Sequence, residues 1–271
     1  MWSILLISTF LSLFPSVLTS IIPPSRDPYL GGAVASVVTL FEPHNSDPTN
    51  LLDYQTYYDS SNVDCSPSYT RQTDSDDLSA SNASLDIPFI GTALNLGWWV
   101  YTTDYEGLKA QYTAGLQSGQ AVLDSTRAVL HAGPSLGLSH NSRYVLWGYS
   151  GGALAACWTA ELQPSYAPDL QFAGIAVGGT VPNIDSVLRT INNGSSAGLA
   201  FSGIYGQARA YPDMTGWLEG SLLEGRREDF FSIASGCSAR VLELGEGMDL
   251  YSHFKDGKGA FEMDIPVSVF R

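Results

Sequence analysis

Short apolar runs alternate with longer amphipathic segments along the first two thirds of the chain. Residues 33–43, AVASVVTLFEP, and residues 51–61, LLDYQTYYDSS, have the composition of β-strands and are bounded by turn residues. Residues 87–96 place apolar side chains at helical spacing, Gly97 ends that helix, and residues 98–102 form a short apolar run. The pattern predicts two strands followed by a helix and a third strand.

The alternation continues beyond these elements. Apolar residues recur at helical spacing in residues 110–133. Residues 144–147, YVLW, predict a strand that leads through a tight turn into a helix, and residues 170–180 predict another short buried strand. Strands that alternate with helices are typical of a mostly parallel sheet covered by helices on both faces, so the expected fold class is α/β.

The pattern changes at Val181. From there the chain consists of helical segments without alternating strands, until the last residues, IPVSVFR, which have the composition of the beginning of a strand. We therefore expect a core domain over residues 21–180 and a helical lid or cap over residues 181–271. The polar, serine-rich residues 70–86 predict a surface loop.

The first 20 residues predict a signal peptide. They are apolar, are interrupted by Pro15, and end in small residues, which favours cleavage near Thr19 or Ser20. A membrane anchor is the alternative, but the run is short and no later segment has the roughly 18 continuous apolar residues of a membrane span. The expected mature protein is secreted and has no integral membrane association.

The charge balance narrows the class of partner. The chain has 13 Lys and Arg residues against 27 Asp and Glu residues, a formal net charge of -14. Nucleic acids and anionic membrane surfaces would be repelled, so neutral or cationic partners are expected.

Three cysteines allow one disulfide and one free thiol in an oxidising compartment. Cys157 falls on the small-residue face of a predicted helix, where a buried, inert thiol is expected, so Cys65 and Cys237 remain as the pair. Asn82 and Asn193 each begin a glycosylation sequon, which would be used if the chain is secreted.

The residues GYSGG after the predicted strand 144–147 have the pattern of a nucleophile elbow. In such a turn a serine, here Ser150, is exposed between a strand and a helix, and small neighbours such as Gly148 and Gly152 allow close backbone packing. The N–H of Gly151 would then stabilise an oxyanion at the positive end of the helix. A glycine-rich turn without chemistry is the alternative for so short a motif.

Longer stretches of the chain resemble a known family. They are DYQTYYDSSNVDCSPSY, GWWVYTTDYEGLKAQYTAGLQSGQAVLDSTRAVL, GYSGGALAACWTAELQPSYAPDLQFAGIAVGGT and AYPDM, which are similar to segments of the fungal secretory lipases of the lipase A type. The resemblance runs from about Leu51 to about Phe254.

The resemblance implies a secreted α/β-hydrolase with a helical lid that hydrolyses triacylglycerols and other carboxylic esters at a lipid–water interface. The reaction would use a Ser-Asp-His triad without a cofactor or metal. Ser150 would be the nucleophile, and Asp59 would form the oxyanion hole together with Gly151. Cys65 and Cys237 would form the family's disulfide. Without the resemblance, Asp59 would be interpreted as a residue that stabilises its own turn.

An acid and a histidine should follow the nucleophile in this fold. His253 is the only histidine after Ser150, and Asp249 lies four residues before it, so both could share one helix face. Their position in the predicted lid favours ordinary surface charge. The resemblance implies a catalytic Asp and His after the lid that have no counterpart up to Arg271, so we expect both ends to be abbreviated and the last strands to be missing.

Three functions remain open from the sequence. The first is a secreted lipase or carboxylic ester hydrolase. The second is a non-catalytic, lipid-binding homologue that keeps the elbow without the triad. The third is a serine peptidase of the same fold, which nothing in the residues specifically favours.

Overall fold

A mixed β-sheet forms the centre of the molecule. The computed structural model describes residues 5–8, 16–27, 32–71 and 83–270. The strand order across the sheet is β1-β2-β3-β5-β4-β6-β7. The strands are β1 (Leu5–Ser8), β2 (Ser16–Asp27), β3 (Gly32–Glu42), β4 (Asp47–Gln55), β5 (Trp98–Thr103), β6 (Arg143–Tyr149) and β7 (Gly174–Gly178).

Some predictions fall on residues outside these ranges. The predicted signal peptide is described only at residues 5–8 and 16–20, which belong to β1 and β2. Residues 72–82 of the predicted surface loop, including Asn82, also lie outside the described residues. Signal peptide removal and glycosylation at Asn82 therefore stay predictions.

Ten α-helices occur within the described ranges. None of the helices described there is long and apolar enough to cross a lipid bilayer. They are α1 (Pro67–Thr70), α2 (Ala83–Asn95), α3 (Gly115–Ala132), α4 (Gly151–Tyr166), α5 (Ile184–Ile191), α6 (Ala197–Ala210), α7 (Pro212–Ser221), α8 (Arg227–Ala234), α9 (Ser238–Gly245) and α10 (Asp264–Phe270).

The expected α/β class is confirmed. Strands β5, β4, β6 and β7 are parallel, as the helix–strand alternation predicts, whereas β3 pairs antiparallel with β5. Adjacent residues of one strand pack on opposite faces: Leu51 packs in a cluster with Val129 of α3, and Leu52 packs with Ile90 of α2. Helices therefore cover both faces of the sheet, and the parallel strands end at one shared edge.

Strand β4 is shifted from its prediction. It begins at Asp47 and ends at Gln55, so residues 56–61, which were predicted to continue the strand, form a loop instead. The positive φ of Asp59 (44°) is incompatible with a continuing strand.

Residues 184–270 form a second, helical layer with its own apolar core, as expected from the pattern after Val181. Helix α6 lies at its centre and packs against α7, α8 and α9. The core combines aliphatic side chains with a group of aromatic ones: Phe201, Trp217, Phe230, Phe254, Phe261 and Phe270. We call residues 184–270 the cap.

The strand predicted at the last residues is wrong, because they form helix α10. Pro266 and Phe270 are four residues apart and both buried, which places them on one face of that helix. The Phe270 ring stacks on Phe261 in the cap core. Packing against the cap therefore overrides the strand propensity of these residues.

Two burial predictions are also wrong. Strand β7 was expected to be buried, but Ile175 and Val177 are 39% and 42% exposed, because β7 is an outer strand of the sheet. Cys157 is free, as predicted, yet it is partly exposed rather than buried. Burial still raises the pKa of its thiol.

Candidate active site

Ser150 occupies the turn between β6 and α4, where the sequence places it. Its backbone has φ 51° and ψ -119°, a conformation that residues other than glycine rarely adopt. The turn is fixed by the Ser150 N–H, which donates to the carbonyl of Gly178 at the end of β7 (3.0 Å). Among the described residues, no side chain hydrogen-bonds to the Ser150 hydroxyl.

The glycines around Ser150 are required by close backbone packing. A Cβ on Gly148 would lie 2.2 Å from the carbonyl oxygen of Gly152, and a Cβ on Gly152 would lie 2.0 Å from the carbonyl oxygen of Gln55. Both separations are far below normal van der Waals contact. Strand β4, strand β6 and helix α4 can therefore meet behind Ser150 only if these positions lack side chains.

Gly151 and Asp59, which the family resemblance implies as oxyanion-hole partners, are in direct contact. A Cβ on Gly151 would lie 1.8 Å from Oδ1 of Asp59 and 3.2 Å from the hydroxyl of Tyr105. Gly151 is the first residue of α4, so its N–H lies among the unpaired donors at the positive end of that helix. A backbone donor and a carboxyl group thus lie side by side next to Ser150.

The carboxyl group of Asp59 is buried and has no hydrogen-bond partner at Oδ1. Burial, and secondarily the negative charge of Asp86, raise the pKa of Asp59 to about 7. A neutral carboxyl carries an O–H that can donate a hydrogen bond. Below that pH, Asp59 can therefore act as a donor.

Asp59 is one of five buried carboxyl groups in this part of the core. Asp86 accepts a hydrogen bond from the hydroxyl of Tyr54 (2.6 Å) and lies 3.8 Å from the Arg71 guanidinium. Burial is the main cause that raises the pKa of all five: Asp53 to about 8, Asp59 to about 7, Asp104 to about 6, Asp86 above its ordinary value, and Glu106 well above it.

Residues that follow β5 hold the loop that carries Asp59, residues 56–61, in place through hydrogen bonds. The Tyr105 hydroxyl donates to the carbonyl of Thr56 (2.8 Å), and the Glu106 N–H donates to the hydroxyl of Tyr58 (2.8 Å). Tyr105 and Glu106 were not singled out in the sequence, because their role arises from contacts that the sequence order does not reveal.

The cap also forms hydrogen bonds with this loop. The Ser61 hydroxyl donates to the carbonyl of Ser202 on α6 (2.6 Å), and the Ser60 hydroxyl donates to the carbonyl of Gly236 (2.9 Å). The Arg209 guanidinium donates to the carbonyls of Ser61 (2.7 Å) and Lys109 (3.0 Å). The cap therefore contributes to the geometry of the Asp59 loop.

The predicted disulfide between Cys65 and Cys237 is confirmed. Cys65 closes the short 3-10 turn Val63–Cys65 after the Asp59 loop, and Cys237 precedes helix α9 of the cap. The bond thus links the cap covalently to the turn that follows the Asp59 loop.

His253, the candidate base with the weakest support in the sequence, belongs to the cap core. Its side chain is fully buried, and Nε2 lies 3.0 Å from Oδ2 of Asp229. Nδ1 lies 3.2 Å from the carbonyl oxygen of Asp249, and the ring packs edge-on against Phe201. These contacts give His253 a structural role in the cap.

The side-chain contact expected between Asp249 and His253 does not form. They do not lie on one α-helix: Asp249 precedes the 3-10 turn Leu250–His253 and its carboxylate accepts from the N–H of Tyr251. The same carboxylate oxygen accepts from the side chain of Asn192 (2.9 Å).

The second sequon is accessible. Asn193 is exposed in the turn between α5 and α6 and has a positive φ (61°). Its N–H donates to the carbonyl of Met248 (3.1 Å), so the turn is packed against the cap while the side chain is exposed. Glycosylation at Asn193 stays a prediction.

Comparison with known proteins gives a consistent result. The family model for secretory lipases matches residues 72–264. Lipase 2 of Candida albicans is 41% identical over 234 residues, which are 86% of this chain and 49% of that protein. Lipase A of Arthroderma benhamiae is 36% identical over 84% of this chain and 49% of its own length.

A solved structure agrees with these relatives. Candida antarctica lipase A in its closed state superposes on 94% of this chain with a TM-score of 0.84 and 31% sequence identity, and the match covers 59% of that chain. The rice cell wall degrading esterase LipA from Xanthomonas oryzae, at 16% identity and a TM-score of 0.64, shares the fold. The chain spans about half the length of the curated relatives it matches.

Proposed function

Since the chain belongs to the secretory lipase family, we propose that it acts as a secreted lipase with Ser150 as its nucleophile. Its substrates are triacylglycerols and other carboxylic esters, taken from a lipid–water interface outside the cell. The relatives that carry the name lipase support this substrate class. The net charge of -14 also favours neutral glycerides over anionic lipids.

The reaction that the site supports is acyl transfer to water. The Ser150 oxygen attacks the ester carbonyl carbon while a histidine base takes the hydroxyl proton, and the carbonyl oxygen becomes an oxyanion. Collapse of that intermediate expels the alcohol, which receives the proton, and leaves an acyl group on Ser150. Water then attacks the acyl group by the same route and releases the fatty acid.

Two donors would stabilise the oxyanion. The Gly151 N–H lies at the positive end of α4, and the neutral carboxyl of Asp59 is in contact with Gly151. Donors that are fixed before the reaction need no reorganisation when the charge forms, and removal of one such donor typically costs about 10² to 10³ in rate. Asp59 fills this role only while it is protonated, because an ionised carboxylate would repel the oxyanion.

The observation that carries the proposal is the backbone conformation of Ser150. Ser150 has φ 51° and lies between a parallel strand and a helix. The glycines around it are required because the backbone packs too closely for a Cβ. This arrangement matches the geometry of an activated nucleophile. Strained backbone of this kind is typical of functional sites.

A hydrolysis assay tests the proposal. The purified protein is expected to hydrolyse a short p-nitrophenyl ester, a serine-directed phosphonate should add one mass equivalent at Ser150, and Ser150→Ala should abolish both. Ser135→Ala changes an exposed serine after α3 and is the matched control. Turnover that persists in Ser150→Ala would refute the assignment of the nucleophile.

The same assay separates the second candidate function, a lipid-binding homologue without catalysis. The observation in its favour is that the Ser150 hydroxyl has no hydrogen-bonded base within the described residues. His253 cannot serve as that base while it is buried against Phe201 and bound to Asp229. Ester binding without turnover or phosphonate labelling would favour this function over hydrolysis.

A further inference from the structure

An ion pair is buried beside the loop that carries Asp59. Asp86, in the first turn of α2, lies 3.8 Å from the Arg71 guanidinium and accepts a hydrogen bond from the Tyr54 hydroxyl (2.6 Å). The Arg71 side chain is 8% exposed and the Asp86 side chain is fully buried. The Arg71 guanidinium also donates to the hydroxyl of Thr56 (2.7 Å), the first residue of the Asp59 loop. The ion pair is therefore attached directly to that loop.

Asp86 has to carry a negative charge in this arrangement. Arg71 keeps its positive charge, because a guanidinium is not deprotonated inside proteins. A buried charge without a partner is strongly destabilising, so Arg71 requires an ionised carboxylate beside it. Burial raises the pKa of Asp86, but the hydrogen bond from Tyr54 and the charge of Arg71 oppose that rise. Asp86 is therefore the buried carboxyl with the strongest reason to be ionised.

The two ends of the ion pair face different groups. Burial is the largest cause that raises the pKa of Asp59, Tyr57 and Asp104. Beyond burial, the negative charge of Asp86 raises the pKa of Asp59 and of Tyr57 further. Hydrogen bonds and the positive charge of Arg71 instead lower the pKa of Asp104. The negative end of the pair therefore points toward the candidate site, and the positive end points toward Asp104.

Other ionisable groups face the Asp59 carboxyl from the same loop and from the residues after β5. Burial raises the pKa of each of them, so they are neutral near pH 7: Tyr57, Tyr105, Glu106 and Tyr112. From the cap, the Arg209 guanidinium approaches the loop at the carbonyl of Ser61 (2.7 Å). Within the described part of the chain, Asp86 is the charged group that raises the pKa of Asp59 beyond the effect of burial.

We propose that Asp86 is a positioning residue of the site: its buried negative charge, held by Arg71 and Tyr54, keeps the Asp59 carboxyl in the neutral form that donates to the oxyanion. If Asp59 also ionised, two negative charges would face each other in a region of low polarity, so Asp59 keeps its proton to a higher pH. Asp86 acts through Asp59 and not on the substrate. The proposal deepens the proposed function and rests on it, because the donor role of Asp59 belongs to ester hydrolysis.

The titration of Asp59 tests the proposal directly. Carbon-13 NMR follows the carboxyl carbon of Asp59 in the full chain, and the midpoint of its titration is compared between the wild type and Asp86→Asn. We expect the midpoint to fall by about one pH unit, because removal of a like charge favours the ionised form. Asp86→Glu keeps the charge and should keep the midpoint close to the wild-type value.

A double variant guards against a failure to fold. Asp86→Asn leaves Arg71 without its partner, and an unpaired buried charge can prevent folding. Asp86→Asn combined with Arg71→Gln removes both charges and keeps a side chain that can donate to Thr56. Because the negative end of the pair faces Asp59, the double variant should also lower the midpoint, although by less than Asp86→Asn alone. Circular dichroism checks that each variant folds.

The reactivity of Ser150 gives a second readout. If the midpoint of Asp59 moves from about 7 to about 6, its neutral fraction at pH 7 falls about fivefold. The ratio of the phosphonate-labelling rate at pH 7 to that at pH 5 should therefore fall about fivefold in Asp86→Asn. A purely structural defect would slow labelling at both pH values and leave this ratio unchanged.

Asp124→Asn is the matched control. Asp124 likewise accepts from a tyrosine hydroxyl (2.8 Å) and from an arginine (3.1 Å), but it lies on α3 and does not shift the pKa of Asp59. The variant should leave the midpoint of Asp59 and the rate ratio unchanged.

Three results would overturn the proposal. They are an unchanged or raised midpoint of Asp59 in the folded double variant, a midpoint in Asp86→Glu as low as in Asp86→Asn, or an equal shift in Asp124→Asn. A lowered midpoint in the Asp86 variants, with no phosphonate labelling of the wild type, would contradict the lipase function while the role of Asp86 stands. Labelling that Ser150→Ala abolishes, with unchanged midpoints, would contradict only the role of Asp86.

Discussion

The candidate site combines Ser150 and Gly151 at the start of α4 with Asp59 from the loop after β4. Ser150 and Gly151 are recognisable because the motif, the preceding strand and the following helix are contiguous in the chain. Asp59 was implied only by a family resemblance, since nothing local distinguishes it from a turn residue. Tyr105 and Arg209 could not be predicted, because they contact the Asp59 loop across separations of 49 and 148 residues.

The close packing at Gly152 predicts a large effect of one methyl group. Gly152→Ala should lower the free energy of unfolding by about 1–3 kcal/mol, because its Cβ would overlap the carbonyl oxygen of Gln55. Gly216→Ala in helix α7, where the Cβ meets open space, should instead stabilise the protein by about 0.5–1 kcal/mol. Urea denaturation measures both, and equal effects would contradict the packing argument.

The raised pKa of Asp59 predicts a pH dependence at the site. The carboxyl of Asp59 should titrate near pH 7 in a carbon-13 NMR experiment, and the rate of phosphonate labelling of Ser150 should fall as the pH rises through that value. Asp59→Asn keeps a neutral donor and should remove this fall. The control is Asp169→Asn, which changes an exposed carboxylate paired with Arg127. If the labelling rate of Asp59→Asn still falls as the pH rises through 7, Asp59 is not the group that causes the fall.

At the scale of elements, prediction succeeded where the pattern is local. The spacing of apolar residues and the glycines that end elements were enough to predict two units. These are the helix and strand at residues 87–103 and the strand–turn–helix around Ser150. The exposure of β7 and the helix at residues 264–270 were predicted incorrectly, because the first depends on strand order and the second on packing against Phe261. Neither property is contained in a short stretch of sequence.

The contacts between cap and loop predict that Arg209 positions the Asp59 loop. Arg209→Ala should speed hydrogen exchange at residues 60–62 by about tenfold, because charge-assisted hydrogen bonds to the carbonyls of Ser61 and Lys109 are lost. Arg209→Lys should have a smaller effect, since a lysine cannot reproduce the fork of a guanidinium. Exposed Arg240→Ala is the control, and unchanged exchange in Arg209→Ala would contradict the role.

At the scale of the whole molecule, the buried carboxyl groups set the pH range of stability. The folded chain keeps protons on Asp53, Asp59 and Asp104 that the unfolded chain releases above about pH 4. Because the folded state binds more protons, stability falls as the pH rises, by about 1.4 kcal/mol per pH unit for each group, until the folded pKa is reached. The free energy of unfolding is therefore expected to be higher at acidic than at neutral pH.

Chemical denaturation at several pH values checks this. The free energy of unfolding should decrease between pH 5 and pH 8, and Asp53→Asn should make the decrease shallower, because it removes the group whose pKa is raised to about 8. Asp169→Asn should leave the slope unchanged, since the pKa of Asp169 is lowered and its contribution varies only at lower pH. A rise in stability over this range would contradict the argument.

The disulfide between Cys65 and Cys237 also has a consequence in time. The two cysteines are 172 residues apart in the sequence. At a synthesis rate of roughly 5–20 residues per second, Cys237 is therefore synthesised roughly 10–30 s after Cys65. Cys157 is synthesised about halfway through that interval, and from then until Cys237 is made it is the only other thiol of the chain. The order of synthesis therefore lets Cys65 meet Cys157 before Cys237, and a bond between the first two would have to be exchanged for the native one.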